Sequence, residues 1–174
     1  RLLMRLFEPL LSDGRVLDAG CGSGSLAFEL AKCGFRVDAL EHSSEFVTMV
    51  RHKISRYGNE SRINVQQGSV TRLPFDDAVF DGAVCGEVIE HVKPGDGGDV
   101  GAIAELARVL KPGAPCVASV PLNQKLWDDA DAWAGHVKRY GREEFADLFR
   151  QAGFDIQSVR VWGFPLGRIY HSVL

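Results

Sequence analysis

The chain has 174 residues, 45% hydrophobic and 25% charged, with 20 Lys and Arg against 23 Asp and Glu for a formal net charge of −3. At about 150 residues per domain this is one domain, residues 1–174, with enough apolar side chains for a core, which excludes a disordered chain or a repeat array. The charge balance excludes general attraction to phosphate backbones or anionic lipid, and no apolar run approaches the roughly 20 residues of a membrane span.

Residues 15–19 read as the first strand, followed by a glycine-rich turn and a helix with Leu26, Ala27, Leu30 and Ala31 on one face, stopped by Gly34. Residues 35–40 form the second strand. Ser43 or Ser44 caps the next helix, whose apolar face is Phe46, Val47, Val50 and Ile54 and whose end is Gly58. Residues 62–67 are the third strand. The turn chemistry of residues 73–77 precedes the apolar run 79–85, a fourth strand continuous enough to be buried on both faces.

After a loop at 94–98, Val100, Ile103, Ala104, Ala107 and Leu110 repeat at helical spacing until Lys111-Pro112-Gly113 ends the helix. Residues 115–120 are the fifth strand. Residues 121–141 lack periodicity and are long for a connection, which suits an acceptor-side loop or a lid over a pocket. A last helix presents Phe145, Leu148, Phe149 and Ala152, and residues 154–162 return as a strand; the stretch 164–174, with Pro165 and Gly167, does not read clearly as another. The alternation predicts an α/β fold: a doubly wound, mostly parallel sheet with helices on both faces, its last strand truncated.

Cys21, Cys33, Cys85 and Cys116 are scattered without a C-x-x-C pair and read as buried thiols. The acid and proline in the opening RLLMRLFEPLL do not suit a signal peptide, so the expected location is cytoplasmic. A start at Arg1 without methionine and an end in an apolar stretch read as a fragment.

In an open parallel sheet ligands sit beyond the C-terminal strand ends, where Asp18-Ala19-Gly20-Cys21-Gly22-Ser23-Gly24 falls. Glycines let the backbone turn sharply and let a ligand approach the amides at the following helix start. A dinucleotide fingerprint needs a glycine where Ser25 stands, which argues against a nicotinamide-dependent oxidoreductase. Glu41, at the end of the second strand, can accept both hydrogen bonds of a ribose diol.

The run 16–24, together with Glu41, the run 80–92 and the segment 106–113, resembles the class I S-adenosylmethionine-dependent methyltransferases over roughly residues 15–122. That resemblance implies a Rossmann-like methyltransferase fold and S-adenosylmethionine as cofactor. It implies a glycine cradle of Gly20, Cys21, Gly22 and Gly24, with Asp18 and Gly20 at the methionine end and Glu41 at the ribose. His42 would lie against adenine, Ser69 and Val70 at its edge, and Cys85 beside the pocket. Members often carry an acid where Ser69 stands.

Methyl transfer from a sulfonium is an in-line displacement in which alignment can supply on the order of 7–11 kcal/mol. A base matters only where the acceptor must lose a proton. Glu87, Glu90 and His91 stand at i, i+3 and i+4, on one face if helical, and with His136 they form a candidate set for Mg²⁺, another divalent ion such as Mn²⁺, or Zn²⁺. This E-x-x-E-H arrangement with a later histidine resembles metal-assisted O-methyltransferases of ubiquinone biosynthesis and of the 2′-hydroxyl at small-RNA 3′ ends. Without an ion, Glu87, His91 and His136 are the candidate catalytic groups, His91 foremost as base or acceptor contact, with His136 alternatively a surface-loop residue.

The basic-aromatic run 136–142 could contact nucleic acid, but Asp128, Asp129 and Asp131 just upstream would repel phosphates, so a small-molecule acceptor is expected. Transfer to oxygen fits the acidic-histidine cluster. The competing readings are a 2′-O-methyltransferase on RNA, the oxidoreductase, and a non-catalytic module that keeps only the cofactor pocket.

Overall fold

In the computed structural model, which describes residues 2–59, 61–162 and 171–173, the central strands carry side chains into two separate apolar layers. Val16 and Leu17 of β1 (Arg15–Ala19) lie in opposite layers, as do Val84 and Cys85 of β4 (Gly82–Gly86) and Val117 and Ala118 of β5 (Cys116–Pro121). Alternation along an extended backbone produces this, and burial on both faces explains the near-continuous apolar sequence.

β1 pairs in parallel with β2 (Arg36–Glu41) and β4, β2 with β3 (Ile63–Gln67), and β4 with β5. Beyond β5 the sheet continues with β7 (His171–Val173) and then β6 (Arg160–Trp162), β7 running antiparallel to both, for the order β3-β2-β1-β4-β5-β7-β6. The expected doubly wound α/β fold is thus present. A seventh strand exists where residues 164–174 read as none: three residues suffice when both neighbours supply ladders, too short a run to give a periodic signal. Residues 163–170 lie outside the description.

Helices α1 (Leu2–Phe7), α2 (Ser25–Lys32) and α3 (Ser44–Tyr57) cover one face, and α4 (Gly98–Val109) and α6 (Arg142–Gln151) the other. Ser43 caps α3 by accepting from the Phe46 amide, and Gly58 ends it at φ 68°. The buried face of α4 is Ala102, Ile103, Leu106 and Val109, with Val100 61% exposed, so Ile103 and Leu110 are buried as expected while the spacing read from Val100, Ala104 and Ala107 was one residue out of register. The strand expected over 154–162 is confined to β6, preceded by residues without regular structure. The thiols divide: Cys21 and Cys85 are buried, Cys116 is intermediate, and Cys33 is exposed against the Glu8 carboxylate. Among the described residues no helix is long and apolar enough to cross a membrane.

Candidate functional site

The C-terminal ends of β1, β2 and β4 converge on the glycine loop. Gly20, Gly22 and Gly24 all have positive φ, at 80°, 51° and 80°, which L side chains adopt only under strain. At Gly20 a side chain is also excluded by space, since its Cβ would collide with Cγ2 of Val88. The amides of Gly20 and Cys21 both donate to the Leu40 carbonyl, at 2.8 and 2.9 Å, tying the loop to β2.

Two acids flank this cradle. Asp18 is buried, its Oδ2 has no hydrogen-bond partner, and burial with the nearby charge of Glu41 pushes its pKa up to about 7 against the opposing Ala27 amide. A buried carboxyl oxygen left unpaired costs free energy, and a ligand with a donor or a cation there removes that cost. Glu41 accepts from the Gly22 amide through Oε2 at 2.8 Å and from the Ser43 amide through Oε1 at 2.9 Å. Each oxygen retains a further lone pair for a diol.

The other expected cofactor residues surround the same loop to different degrees. His42 is exposed, and its carbonyl accepts from Gln67 Nε2. Ser69 Oγ is engaged in a turn with the Thr71 hydroxyl and amide, and Val70 is buried. Cys85 is wholly enclosed in the core, so its thiol backs the pocket rather than lining it.

On the acceptor side the chain departs from the regular helix that the Glu87, Glu90 and His91 spacing requires. Glu87 sits at φ 57°, its amide donating to the Ser119 carbonyl and its Oε1 accepting from Ser119 Oγ at 2.6 Å, and only a short 3-10 turn, Ile89–His91, follows. The three do not share a face. Instead, Glu90, His91 and His136 bring one potential ligand atom each within 4.8 Å of one another, while Glu87 accepts from Ser119. The rings of His91 and His136 meet edge to face with centroids 4.7 Å apart.

Glu90 is fully buried with both carboxyl oxygens unpartnered. Burial, then the Glu87 charge, raises its pKa well above the ordinary carboxyl value, which favours the protonated form. Burial and the neighbouring His136 depress His91, leaving a neutral imidazole.

His136 reaches this cluster because residues 121–141 are built rather than loose. They contain a 3-10 turn (Gln124–Leu126) and α5 (Asp129–Ala134), and Leu122 bridges to Tyr140. Asp128 caps α5, and Asp131, 1% exposed, accepts from the Asp128 amide, from Arg139 Nε at 2.9 and 3.0 Å, and contacts His136 Nδ1 at 2.7 Å. The basic-aromatic run is consumed internally: Lys138 pairs with Asp99 and Glu144, Arg139 with Asp131, and Tyr140 is buried. Of the upstream acids, Asp131 is neutralised by Arg139 and Asp128 caps α5, while Asp129 is exposed. Sequence reasoning missed Ser119, Asp131 and Arg139; an acid five positions before a histidine was the signal available for Asp131.

The methyltransferase domain family matches residues 17–118. A Mycolicibacterium smegmatis protein named "Probable S-adenosylmethionine-dependent methyltransferase" is 31% identical over 144 residues, covering 82% of this chain and 52% of its own length. A ubiquinone biosynthesis O-methyltransferase of Xylella fastidiosa is 40% identical over 151 residues, covering 82% and 57%. The chain spans about half the length of these curated relatives. In fold it resembles 1,6-didemethyltoxoflavin-N1-methyltransferase of Burkholderia thailandensis, solved with bound 1,6-didemethyltoxoflavin and S-adenosylhomocysteine, with a TM-score of 0.81 at 22% identity over 99% of this chain and 75% of that one.

Proposed function

The chain belongs to the methyltransferase domain family, and from that premise we propose that it moves a methyl group from S-adenosylmethionine to a small-molecule acceptor, at a hydroxyl oxygen. The observation that carries the reading is the pairing of a glycine cradle without room for side chains at Gly20 with an unpartnered buried Asp18 oxygen and a Glu41 carboxylate across it. When bound, S-adenosylmethionine supplies a methyl group already activated on a sulfonium. Asp18 would take the polar methionine end, Glu41 the ribose hydroxyls, and the Gly20–Gly24 loop the close backbone contacts, with His42, Ser69 and Val70 near the adenine. These residues would orient the donor, and alignment is where much of the rate of such a displacement arises.

His91 and His136 would take the acceptor's proton at a ring nitrogen, with Glu87 positioned by Ser119 beside them. Glu90, His91 and His136 have the donor chemistry for a divalent ion, and the two orphaned Glu90 oxygens fit such a ligand. An ion held there would lower the pKa of an acceptor hydroxyl. Residues 121–141 would form the acceptor-side wall of a single domain, in a cytoplasmic enzyme. Relatives named for quinone methylation, and the fold neighbour solved with 1,6-didemethyltoxoflavin, support that acceptor class.

The test is calorimetric and kinetic together. S-adenosylhomocysteine binds and NAD(H) does not, and release of S-adenosylhomocysteine from S-adenosylmethionine across a small-molecule hydroxyl library identifies the acceptor. Binding of NAD(H) in place of the nucleoside sulfonium pair overturns the proposal. Binding without turnover on any acceptor leaves the non-catalytic module in its place.

A further inference from the structure

The carboxylate of Asp131 lies beneath His136 in an arrangement that leaves it one role. Three contacts bring hydrogens toward it: the Asp128 amide to Oδ2 at 3.0 Å, and Arg139 Nε to Oδ2 at 3.0 Å and Oδ1 at 2.9 Å. A carboxylate paired with a guanidinium is an acceptor only. Its fourth contact, to His136 Nδ1 at 2.7 Å, must therefore also be made by a donor. The proton of the neutral ring then resides on Nδ1 and Nε2 is left bare, in a side chain that clusters with Glu90 and His91.

We propose that Asp131, held in place by Arg139 and by the amide of Asp128, is a positioning residue that fixes the tautomer and ring orientation of His136 so that Nε2 is presented to the acceptor side. The inference deepens the functional reading above and rests on it for the use to which Nε2 is put. The same bare nitrogen serves whether it accepts a proton or ligates an ion, because both need the lone pair. The side chains that hold His136 are buried, Asp131 1% and Arg139 8% exposed, so the support is rigid.

Replacing Asp131 by Asn makes the inference sharp. The position of Oδ2 faces the Asp128 amide and must remain a carbonyl oxygen, so the amide NH₂ falls at the position of Oδ1, against His136 Nδ1. Nδ1 then has to accept, and the ring proton moves to Nε2, the nitrogen the site needs bare. Truncating Asp131 to Ala removes the bias without reversing it.

The experiment is two-bond ¹H–¹⁵N correlation spectroscopy of histidine-labelled protein at a pH where the rings are neutral, with His136→Gln identifying the signal. Wild-type protein is expected to show His136 with Nδ1 protonated and Nε2 bare, and Asp131→Asn to show the reverse. A wild-type ring with its proton on Nε2 overturns the inference even if the variant fails to fold, and so does a folded Asp131→Asn protein with the wild-type tautomer. S-adenosylhomocysteine calorimetry on the same samples separates the two claims. Failure of wild type to bind it sinks the methyltransferase reading, whereas normal binding with the wrong tautomer sinks only the role of Asp131.

Discussion

Glu41 spans the glycine loop and the start of α3 at once, taking the Gly22 amide on one oxygen at 2.8 Å and the Ser43 amide on the other at 2.9 Å. The same carboxylate therefore shapes the cradle and offers its remaining lone pairs to whatever the cradle holds. A Gln in its place has one acceptor for two amide donors and turns its NH₂ against the other. Glu41→Gln should weaken S-adenosylhomocysteine binding about 10- to 100-fold, the range expected when hydrogen bonds to a charged group are lost. An unchanged dissociation constant in calorimetry removes Glu41 from the ribose.

Gly20 is constrained twice, by its φ of 80° and by the side chain of Val88. Gly20→Ala should cost about 1–3 kcal/mol of stability and abolish nucleoside binding. Gly22, at φ 51° with open space around it, should pay the conformational penalty without the clash. Thermal melts of Gly20→Ala, Gly22→Ala and the Gly20→Ala/Val88→Ala pair check the order. Equal losses in the first two would show that the contact with Val88 is irrelevant.

Asp18 sets a pH dependence. With a folded-state pKa of about 7 against 3.8 when exposed, the folded protein holds a proton there that the unfolded chain has released. Its contribution to stability is fully present below the ordinary carboxylate pKa and is lost as pH rises toward about 7. Asp18→Asn should accordingly melt higher than wild type at pH 8 in the absence of ligand. A cationic ligand end favours the ionised form, so binding expels the proton below pH 7. Wild-type affinity for S-adenosylmethionine should fall as pH drops from 7 to 5, by up to about tenfold per unit, and the Asn variant should be flat. A flat wild-type profile would separate Asp18 from the ligand.

The Asp131–Arg139 pair is buried, and removing one partner strands the other charge. Arg139→Met should destabilise the fold by about 3–5 kcal/mol in urea titrations, while Arg139→Met/Asp131→Leu should recover much of that loss. A single variant as stable as wild type would mean that the pair is not dry.

Ion dependence has its own check. Dialysis against EDTA should reduce turnover and Mg²⁺ or Mn²⁺ should restore it, with Glu90→Gln abolishing the response. Turnover indifferent to EDTA and to added ions removes the metal, leaving the histidines as bases.

The parts legible in the sequence were those written in local chemistry. Ser43, Gly34 and Gly58 announced helix ends because capping and positive φ are local requirements. The loop from Gly20 to Gly24 and the acid at Glu41 stood out because spacing along two strands maps directly onto neighbours in a parallel sheet. What failed were inferences that needed tertiary context. The Glu87, Glu90 and His91 spacing presumed a helix, yet Glu87 turns into a left-handed conformation against Ser119, a residue on another strand. The charges of residues 128–142 looked solvent-facing because nothing in the order of residues says that Asp131 and Arg139 will meet inside.

The placement of β7 between β5 and β6 has a consequence for how the molecule assembles. Ser119 finds its partner in Val173, and among the described residues β6 joins the sheet through β7. During synthesis the half that carries the glycine loop is free to organise while the far edge of β5 waits, unzipped, for the later-made β7 to thread in beside it. A ribosome-stalled chain ending before His171 should already protect the glycine loop from protease while leaving β5 open to attack.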